Sequence, residues 1–244
     1  MTLLTTEIVP GAFPAIVFAA DRRISVAGRR QADRSKILTL PGKRAGIGYF
    51  GLAELPFKGP QRHMDVWLSD FLRAHSALHT LRETAEALVA RLNQVVPAPH
   101  QRKHVSGFHL AGLASDGQPE FWFVRNVKDD RSTLIGHYSA REDFQRRDLR
   151  RLTHAAVQIY RNGDLRAHAA AWEQLDQSFQ GLLTTPGFRI GKGPVAHMRW
   201  VQFKLETIAH FYQRFSSESI IGKPVDAFVI TSAGVKHSTS RRHK

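Results

Sequence analysis

Three residues near the N-terminus have the side chains that nucleophilic hydrolysis requires: Thr2, Asp21 and Lys36. A threonine hydroxyl attacks a carbonyl carbon only when a base takes its proton. The α-amine of an N-terminal threonine can be that base, because it titrates near neutrality, at roughly 7.7–8.0. Methionine is usually removed before a residue as small as threonine. A nearby lysine lowers the pKa of the amine by like-charge repulsion, and a carboxylate holds the lysine in place.

The pattern around these residues predicts strands that bring them to one end of a sheet. TLLTTEIV and AIVFAAD flank a PGAFP turn, which predicts a β-hairpin over residues 2–21. KILTL (36–40) and RAGIGYF (44–50) predict two further strands, separated by the turn at Pro41 and Gly42. The threonine then begins the first strand, the aspartate ends the second, and the lysine begins the third. On adjacent antiparallel strands the three side chains can converge.

Further along the chain, paired amphipathic helices alternate with hairpins. Apolar residues at helical spacing indicate the helices, and alternating apolar residues around turn signals indicate the hairpins. The basic stretch from Arg125 to about Asp164 is weakly patterned, and we predict no element there. The predicted helices cover residues 64–76, 81–96, 165–182 and 196–215, and the predicted hairpins cover 105–124 and 225–235.

The helices and hairpins indicate a single α+β domain over residues 1–236, because each amphipathic helix must cover a sheet face. No flexible linker or composition break divides it. The basic residues 237–244 are expected to form a disordered tail.

Composition excludes several classes of site. The chain of 244 residues has no cysteine, so it can form no disulfide, zinc–thiolate site or cysteine nucleophile.

No apolar run approaches the roughly 20 residues of a membrane-spanning helix. The N-terminus lacks the basic region of a signal peptide and contains Glu7, Pro10 and Pro14. We therefore expect a cytoplasmic protein with no membrane partner.

A net charge of +14 raises nucleic acid as an alternative partner. The basic clusters are spread along the chain and are not interleaved with aromatic residues, as a single-strand stacking platform would be. This distribution favours a solvated basic surface over a nucleic-acid groove. Nucleic-acid binding is therefore a third hypothesis.

The segment IVFAADRRISVAGRRQADRSKI, followed by GIGYFGLAEL, resembles the opening of proteasome β subunits and their bacterial peptidase relatives, which are N-terminal-nucleophile hydrolases. The closing segment IIGKPVDAFVITSAGV resembles the Gly-rich last strand of that family. The resemblance covers most of the chain and is strongest over residues 15–54. It implies a four-layer αββα sandwich, with two antiparallel sheets between helix pairs, and an N-terminal threonine peptidase. No cofactor is expected.

The resemblance also assigns roles to residues beyond Thr2. It implies catalytic roles for Asp21 and Lys36, a supporting role for Arg23, and an oxyanion-binding N–H at Gly51. Ser139 is the nearest match to the supporting serine of the family.

The position of the nucleophile has two readings. Counting without an insertion in the hairpin turn would place it at Thr5. We prefer Thr2, because TLLTTEIV then forms a complete first strand and no self-cleavage after Leu4 is needed.

The family also implies the partners: a peptide or protein substrate, further copies of the chain in a ring or stacked rings, and an ATPase unfoldase. Aromatic residues outside the main helical stripes independently favour subunit contacts, because they would be exposed in a monomer. A second hypothesis is a catalytically inactive scaffold of the same fold. The aromatic residues concerned are Trp67, Phe71, Trp200, Phe203 and Phe211.

No metal site is predicted. The pairs His75/His79 and His100/His104 have i, i+4 spacing but no nearby acidic ligands, so surface or interface histidines are the favoured interpretation.

Overall fold

The computed structural model describes residues 2–11, 14–26, 29–55, 62–127, 140–148, 157–164, 172–187, 189–218 and 220–238. Within these ranges the chain forms fourteen strands and five helices, an α+β fold. The strands are β1 (Leu3–Val9), β2 (Ala15–Asp21), β3 (Arg23–Val26), β4 (Arg29–Asp33), β5 (Ile37–Thr39), β6 (Ala45–Phe50), β7 (Glu54–Leu55), β8 (Arg62–His63), β9 (Gly107–Leu113), β10 (Pro119–Val127), β11 (Ala140–Asp148), β12 (Gln158–Gly163), β13 (Val225–Thr231) and β14 (Gly234–His237). The helices are α1 (Met64–Ala74), α2 (Leu81–Val95), α3 (Ala98–Lys103), α4 (Trp172–Leu183) and α5 (Pro194–Phe215).

The first large sheet has the strand order β12-β1-β2-β13-β14, with every pair antiparallel. It contains two of the predicted hairpins, β1–β2 and β13–β14, which are confirmed. The register pairs Leu4 with Ala20, so Leu3 lies opposite Asp21 where the first hairpin opens. Both outer neighbours of this hairpin, β12 and β13, come from the second half of the chain.

The second large sheet has the order β11-β10-β9-β6-β5 and is also antiparallel throughout. It contains the predicted strand pairs β5–β6 and β9–β10, which are confirmed. Strands β3 and β4, in the polar segment between β2 and β5, form a separate two-stranded sheet.

The two large sheets pack against each other through alternate side chains of their strands. In β2, Ile16, Phe18 and Ala20 join a core cluster that also contains Phe50 and Phe121 of the second sheet. Glycine makes this contact close at two places in β6. A Cβ on Gly46 would meet the Phe228 ring, and one on Gly48 would meet the Leu4 side chain.

Helices pack on the other face of each sheet. The alternate residues of β2 belong to a core cluster with α5, which includes Val201, Leu205 and Ile208. Helices α1 and α2 pack against the second sheet through residues such as Leu68 and Leu88. The four long predicted helices are therefore present, although α4 is described only from Trp172 onward.

Two of the aromatic residues that we expected at the surface are buried. Trp67 and Phe71 stack on each other, with ring centroids 5.7 Å apart, inside the core between α1 and the second sheet. The apolar stripe of α1 is wider than the sequence pattern suggested, so this part of the expectation was wrong. Phe203 and Phe211 on α5 are exposed, as expected.

Two strands lie in the stretch where we predicted no element. Strand β11 extends the second sheet beside β10, and β12 extends the first sheet beside β1. The sequence of β12, QIYRNG, has little apolar alternation, so its strand conformation depends on hydrogen bonds to β1. The short helix α3 follows Pro97, directly after the predicted end of the preceding helix at residue 96.

At the C-terminus, β14 extends to His237, so the ordered chain passes the predicted boundary at 236. Residues 239–244, most of the expected tail, lie outside the described ranges. Among the described residues, no helix combines the length and apolar character needed to cross a membrane.

Candidate active site

Asp21 lies at the centre of the candidate site, because its carboxylate accepts hydrogen bonds from three parts of the chain. The Leu3 N–H donates to Oδ1 at 2.7 Å, and Lys36 Nζ donates to the same oxygen at 2.9 Å. The Arg23 N–H donates to Oδ2 at 3.2 Å. The carboxylate thus joins the start of β1, the start of β3 and the residue before β5. These contacts bring Asp21 and Lys36 together with the peptide N–H of Leu3, the residue that follows Thr2.

Lys36 is buried with its ion-pair partner, Asp21. Burial lowers the pKa of the Lys36 ammonium because the charged form loses its hydration, and the positive charge of Arg23 adds to this effect. The Asp21 carboxylate acts in the opposite direction. Lys36 therefore loses its proton more readily than an exposed lysine, while the ion pair fixes its position.

Arg23 connects this cluster to the segment that precedes β13. Its side chain is buried, and Nη1 donates to the Ile221 carbonyl at 3.2 Å. The guanidinium lies directly against Gly222, where a Cβ would overlap it. Arg23 thus secures the chain just beyond Asp21, which is consistent with the supporting position assigned to it.

Gly51 forms the turn that follows β6. Its φ of +85° is in the left-handed region, and a Cβ there would overlap the Val105 carbonyl oxygen and the Ser106 Cα. The opposing chain is held by Asn126, whose Oδ1 accepts from the Ser106 N–H at 2.7 Å. Only glycine fits this backbone conformation so close to its neighbour.

Thr2 and Gly51 line the same cavity, which has a volume of about 420 Å³. The cavity opens between the two large sheets, and both contribute to its walls. Its lining is mainly apolar and aromatic, with polar groups at a few positions. The other lining residues are Phe50, Val105, Phe123, Arg125, Val127, Ile159, Tyr160, Arg161, Asn162 and Gly163.

Arg125 brings a positive charge to this cavity. Its guanidinium carbon lies 5.0 Å from the centre of the Phe123 ring, in cation–π geometry. Both residues are on β10, two positions apart, so they share the face that points toward the first sheet.

On its other side, the start of β1 is held by β12. The Thr2 carbonyl accepts a hydrogen bond from the Asp164 N–H at 2.9 Å. Gly163 has a φ of +120°, and a Cβ there would overlap the Thr2 carbonyl oxygen. The backbone of Thr2 is therefore fixed by a strand that the sequence did not predict.

The buried side chain of His109 contacts a residue of the cavity wall. His109 Nδ1 lies 2.9 Å from Thr6 Oγ1, and Nε2 lies 2.6 Å from Asn162 Oδ1. The imidazole makes edge contacts with Phe121 and Phe123. Because Asn162 lines the cavity, His109 fixes one of its polar groups.

Sequence reasoning did not identify His109, Asn162 or Asp164. The alternation in FHLAGLA indicates an inward-facing histidine, but its partners come from strands that are distant in sequence. Asp164 follows a strand with no clear pattern, so nothing local marks it.

Ser139 lies outside the described residues. Thr5, the alternative nucleophile, is fully buried in the middle of β1, between Ala19 of β2 and Arg161 of β12.

The paired histidines form contacts of ordinary kinds. The His100 and His104 rings lie 4.5 Å apart, and His75 Nδ1 lies 2.9 Å from the Phe71 carbonyl oxygen. Across the described ranges, no group of three or more potential metal ligands occurs.

No protein-family model matches this sequence, and no curated protein shows significant sequence similarity to it.

Proposed function

We propose that this protein is an N-terminal threonine hydrolase that cuts amide bonds in peptides, with the four-layer architecture of proteasome-like N-terminal-nucleophile hydrolases. The order of packing supports the architecture: α1 and α2 cover the second sheet, the two sheets face each other, and α5 covers the first sheet. The cavity between the sheets, at the N-terminal end of β1, is where such a nucleophile would meet its substrate.

The proposal rests on one observation, which is that Asp21 Oδ1 accepts two hydrogen bonds. This oxygen accepts from both Lys36 Nζ and the Leu3 N–H. The second bond ties the ion pair to the peptide group that Thr2 and Leu3 share. An ammonium held this close to the N-terminal residue can depress the pKa of the α-amine and keep it available as a base at neutral pH.

In the proposed reaction, Thr2 Oγ forms a bond to the substrate carbonyl carbon and transfers its proton to its own α-amine. The negative charge moves to the carbonyl oxygen, which accepts a hydrogen bond from the Gly51 N–H. The α-ammonium then donates its proton to the departing amine nitrogen, and the amide C–N bond breaks. Water, deprotonated by the same amine, hydrolyses the threonine ester and restores the hydroxyl.

Thr2 fits this role better than Thr5. Cleavage before Thr5 would remove Leu3 and Leu4, which are both buried in core clusters, and with them the N–H bound to Asp21. Removal of Met1 alone leaves β1 complete. The proposed nucleophile is therefore the residue exposed by the simplest processing step.

Intact-mass measurement and two threonine variants test the proposal together. We expect the purified chain to lack Met1 and to hydrolyse members of a mixed peptide pool. Thr2→Ala should lower kcat/KM by about 10³-fold or more, as losses of a nucleophile do. Thr5→Ser is the matched control and should retain most of the activity.

A processed wild-type chain that hydrolyses nothing in the pool would contradict the hydrolase and favour an inactive scaffold. Equal rates for Thr2→Ala and wild type would exclude Thr2 as the nucleophile.

A further inference from the structure

Helix α5 carries a second apolar stripe in addition to the one that packs on the first sheet. Ala196, Trp200 and Phe203 recur at helical spacing, so they lie along one face of the helix. The buried core residues Val201 and Leu205 lie on another face. The off-stripe aromatic residues that the sequence singled out on this part of α5 therefore form a surface of their own.

This second stripe faces α4, and the two helices line a groove. The Phe179 ring of α4 lies 5.3 Å from the Trp200 ring and 5.5 Å from the Phe203 ring, between centroids. The groove has a volume of about 380 Å³, and we call it the α4–α5 groove. Two of its apolar side chains, Leu182 and Phe203, are 49% and 47% exposed, and clustered exposure of this kind is typical of a binding surface. The lining residues are Phe179, Leu182, Leu183, Arg189, Ile190, Ala196, Arg199, Trp200 and Phe203.

Arg189 and Arg199 give the α4–α5 groove a positive charge. Both side chains are exposed, so they lie where the groove meets solvent. Within the part of the chain that the structure describes, neither guanidinium has a hydrogen-bond or ion-pair partner, and no lining residue is acidic. A guanidinium is well suited to bind a carboxylate, through two parallel hydrogen bonds. The groove thus combines an apolar wall with an anion-binding edge.

The chemistry of the wall indicates what kind of molecule fits. Apart from the two arginines, the indole N–H of Trp200 is the one polar side-chain group among the described lining residues. An extended peptide would bury main-chain N–H and C=O groups against this wall with few partners, which is unfavourable. A helical peptide is too large, because one turn of a helix about 10 Å wide already occupies about 420 Å³. A single acyl chain has no polar groups to satisfy and fits the volume.

We propose that the α4–α5 groove binds a long-chain fatty acid. The acyl chain packs against Phe179, Trp200 and Phe203, and the carboxylate accepts hydrogen bonds from the guanidinium groups of Arg189 and Arg199. The groove lies on the helix side of the first sheet, whereas the cavity that Thr2 lines opens between the two sheets. This inference is therefore independent of the proposed hydrolase.

The experiment titrates the protein with dodecanoate and with 12-bromododecanoate, below their micelle concentrations, and follows tryptophan fluorescence and calorimetry. Trp200 is partly exposed, whereas Trp67, Trp122 and Trp172 are buried, so bromine in the groove should quench Trp200 selectively. We expect saturable quenching with one ligand per chain. Trp200→Phe should lose the quenching and retain the calorimetric signal. A wild-type chain that shows no saturable quenching overturns the inference, and so does quenching that persists in Trp200→Phe.

Two further ligands separate the contributions of the chain and the carboxylate. Dodecyltrimethylammonium has the same chain with a positive head group, and acetate has the carboxylate without the chain. Each should bind about tenfold more weakly than dodecanoate, or worse, because the groove needs both parts. Equal affinity for the cationic ligand would reduce the binding to adsorption on an apolar surface and overturn the inference.

Arg199→Glu should weaken dodecanoate binding by about tenfold or more, because it replaces a carboxylate-binding group with a like charge. Arg214→Glu makes the same change near the end of the same helix, outside the groove, and should leave the affinity unchanged. Arg189→Glu, outside the helices, is a second variant for use if Arg199→Glu does not fold. An unchanged affinity in a folded groove variant overturns the inference.

Other occupants of the groove would give distinct results. Trp200 fluorescence that changes on dilution without ligand, and that does not respond to dodecanoate, would identify a second copy of the chain in the groove. Binding of an acidic apolar peptide without binding of dodecanoate would identify a peptide site. Either result overturns the assignment to a fatty acid.

Discussion

Lys36 Nζ lies 2.9 Å from Asp21 Oδ1, and this buried ion pair joins the two large sheets of the protein. Asp21 ends β2 in the first sheet, and Lys36 directly precedes β5 in the second. Removing one partner of a buried pair leaves the other charge without compensation, which costs about 3–5 kcal/mol. The pair is therefore important for stability as well as for the proposed chemistry.

Lys36→Met should abolish hydrolysis and also lower the free energy of unfolding by about 3–5 kcal/mol. Asp21→Asn should lower it as well, and the double variant should lose less than the sum of the two, because neither charge is then left alone. Urea denaturation of all four proteins measures the coupling. Additive losses of unfolding free energy would show that the ion pair does not stabilise the fold. Peptidase activity in the double variant would show that hydrolysis does not require the pair.

Gly51→Ala should reduce both activity and stability. Gly117 has nearly the same φ, +80° against +85°, but a Cβ there meets nothing within 4 Å. Gly117→Ala is thus a matched control that carries the conformational cost of about 1–2 kcal/mol without the overlap. Thermal unfolding and peptidase assays of both variants test this, and equal losses would mean that the contact with Val105 and Ser106 is unimportant.

Alkaline pH should destabilise the protein through Tyr49. Burial raises the pKa of the Tyr49 hydroxyl far above its ordinary value of 10.0. The unfolded chain therefore releases this proton above about pH 10 while the folded chain retains it, so stability falls as pH rises through that range.

Tyr49→Phe removes this dependence, although it also removes the hydrogen bond from the hydroxyl to the Ser35 carbonyl. The stability difference between wild type and Tyr49→Phe should therefore shrink from pH 9 to pH 11 in urea denaturation. Lys36 contributes in the opposite direction, because its lowered pKa makes stability rise with pH below 10.5. Both proteins contain Lys36, so this contribution cancels when their stabilities are compared. A difference that stays constant with pH would contradict the prediction.

Arg125 should favour substrates with an acidic side chain near the cut bond, because its guanidinium faces the cavity that Thr2 lines. Arg125→Glu should lower kcat/KM for an acidic peptide about tenfold relative to its neutral amide analogue. Arg91→Glu makes the same charge change on α2, outside the cavity wall, and is the control. An unchanged ratio in Arg125→Glu would contradict the selectivity.

The exposed aromatic residues of α5 should lie between subunits of a closed homo-oligomer. Phe211 and Phe215 are 63% and 69% exposed, and their rings lie 5.0 Å apart. Replacing both with glutamate should dissociate the assembly in light scattering at moderate salt, whereas Val66→Glu on α1 should not. A wild-type chain that stays at 27.5 kDa across dilution would contradict the prediction.

The sequence predicted the parts of the site that depend on local pattern. The hairpin that carries Thr2 and Asp21 follows from apolar alternation around a turn, and so does the pair of strands after Lys36. Phe203 and Phe211 were correctly expected at the surface, because they lie outside the apolar stripe of α5.

The parts that depend on distant pairing could not be predicted. Asp164 lies beside Thr2 only because β12 pairs with β1, and QIYRNG has no alternation that indicates a strand. Tertiary hydrogen bonds determine its conformation, and single-sequence propensity does not include them.

The late position of β12 and β13 in the chain has a consequence for biosynthesis. The hairpin that carries Thr2 leaves the ribosome well before its two neighbouring strands, and the contact between Arg23 and Ile221 spans 198 residues. A nascent chain therefore lacks the groups that hold the start of β1 until β12 and the segment before β13 have been synthesised. If Thr2 is the nucleophile that we propose, the order of synthesis itself delays the assembly of its site until these later strands have been made.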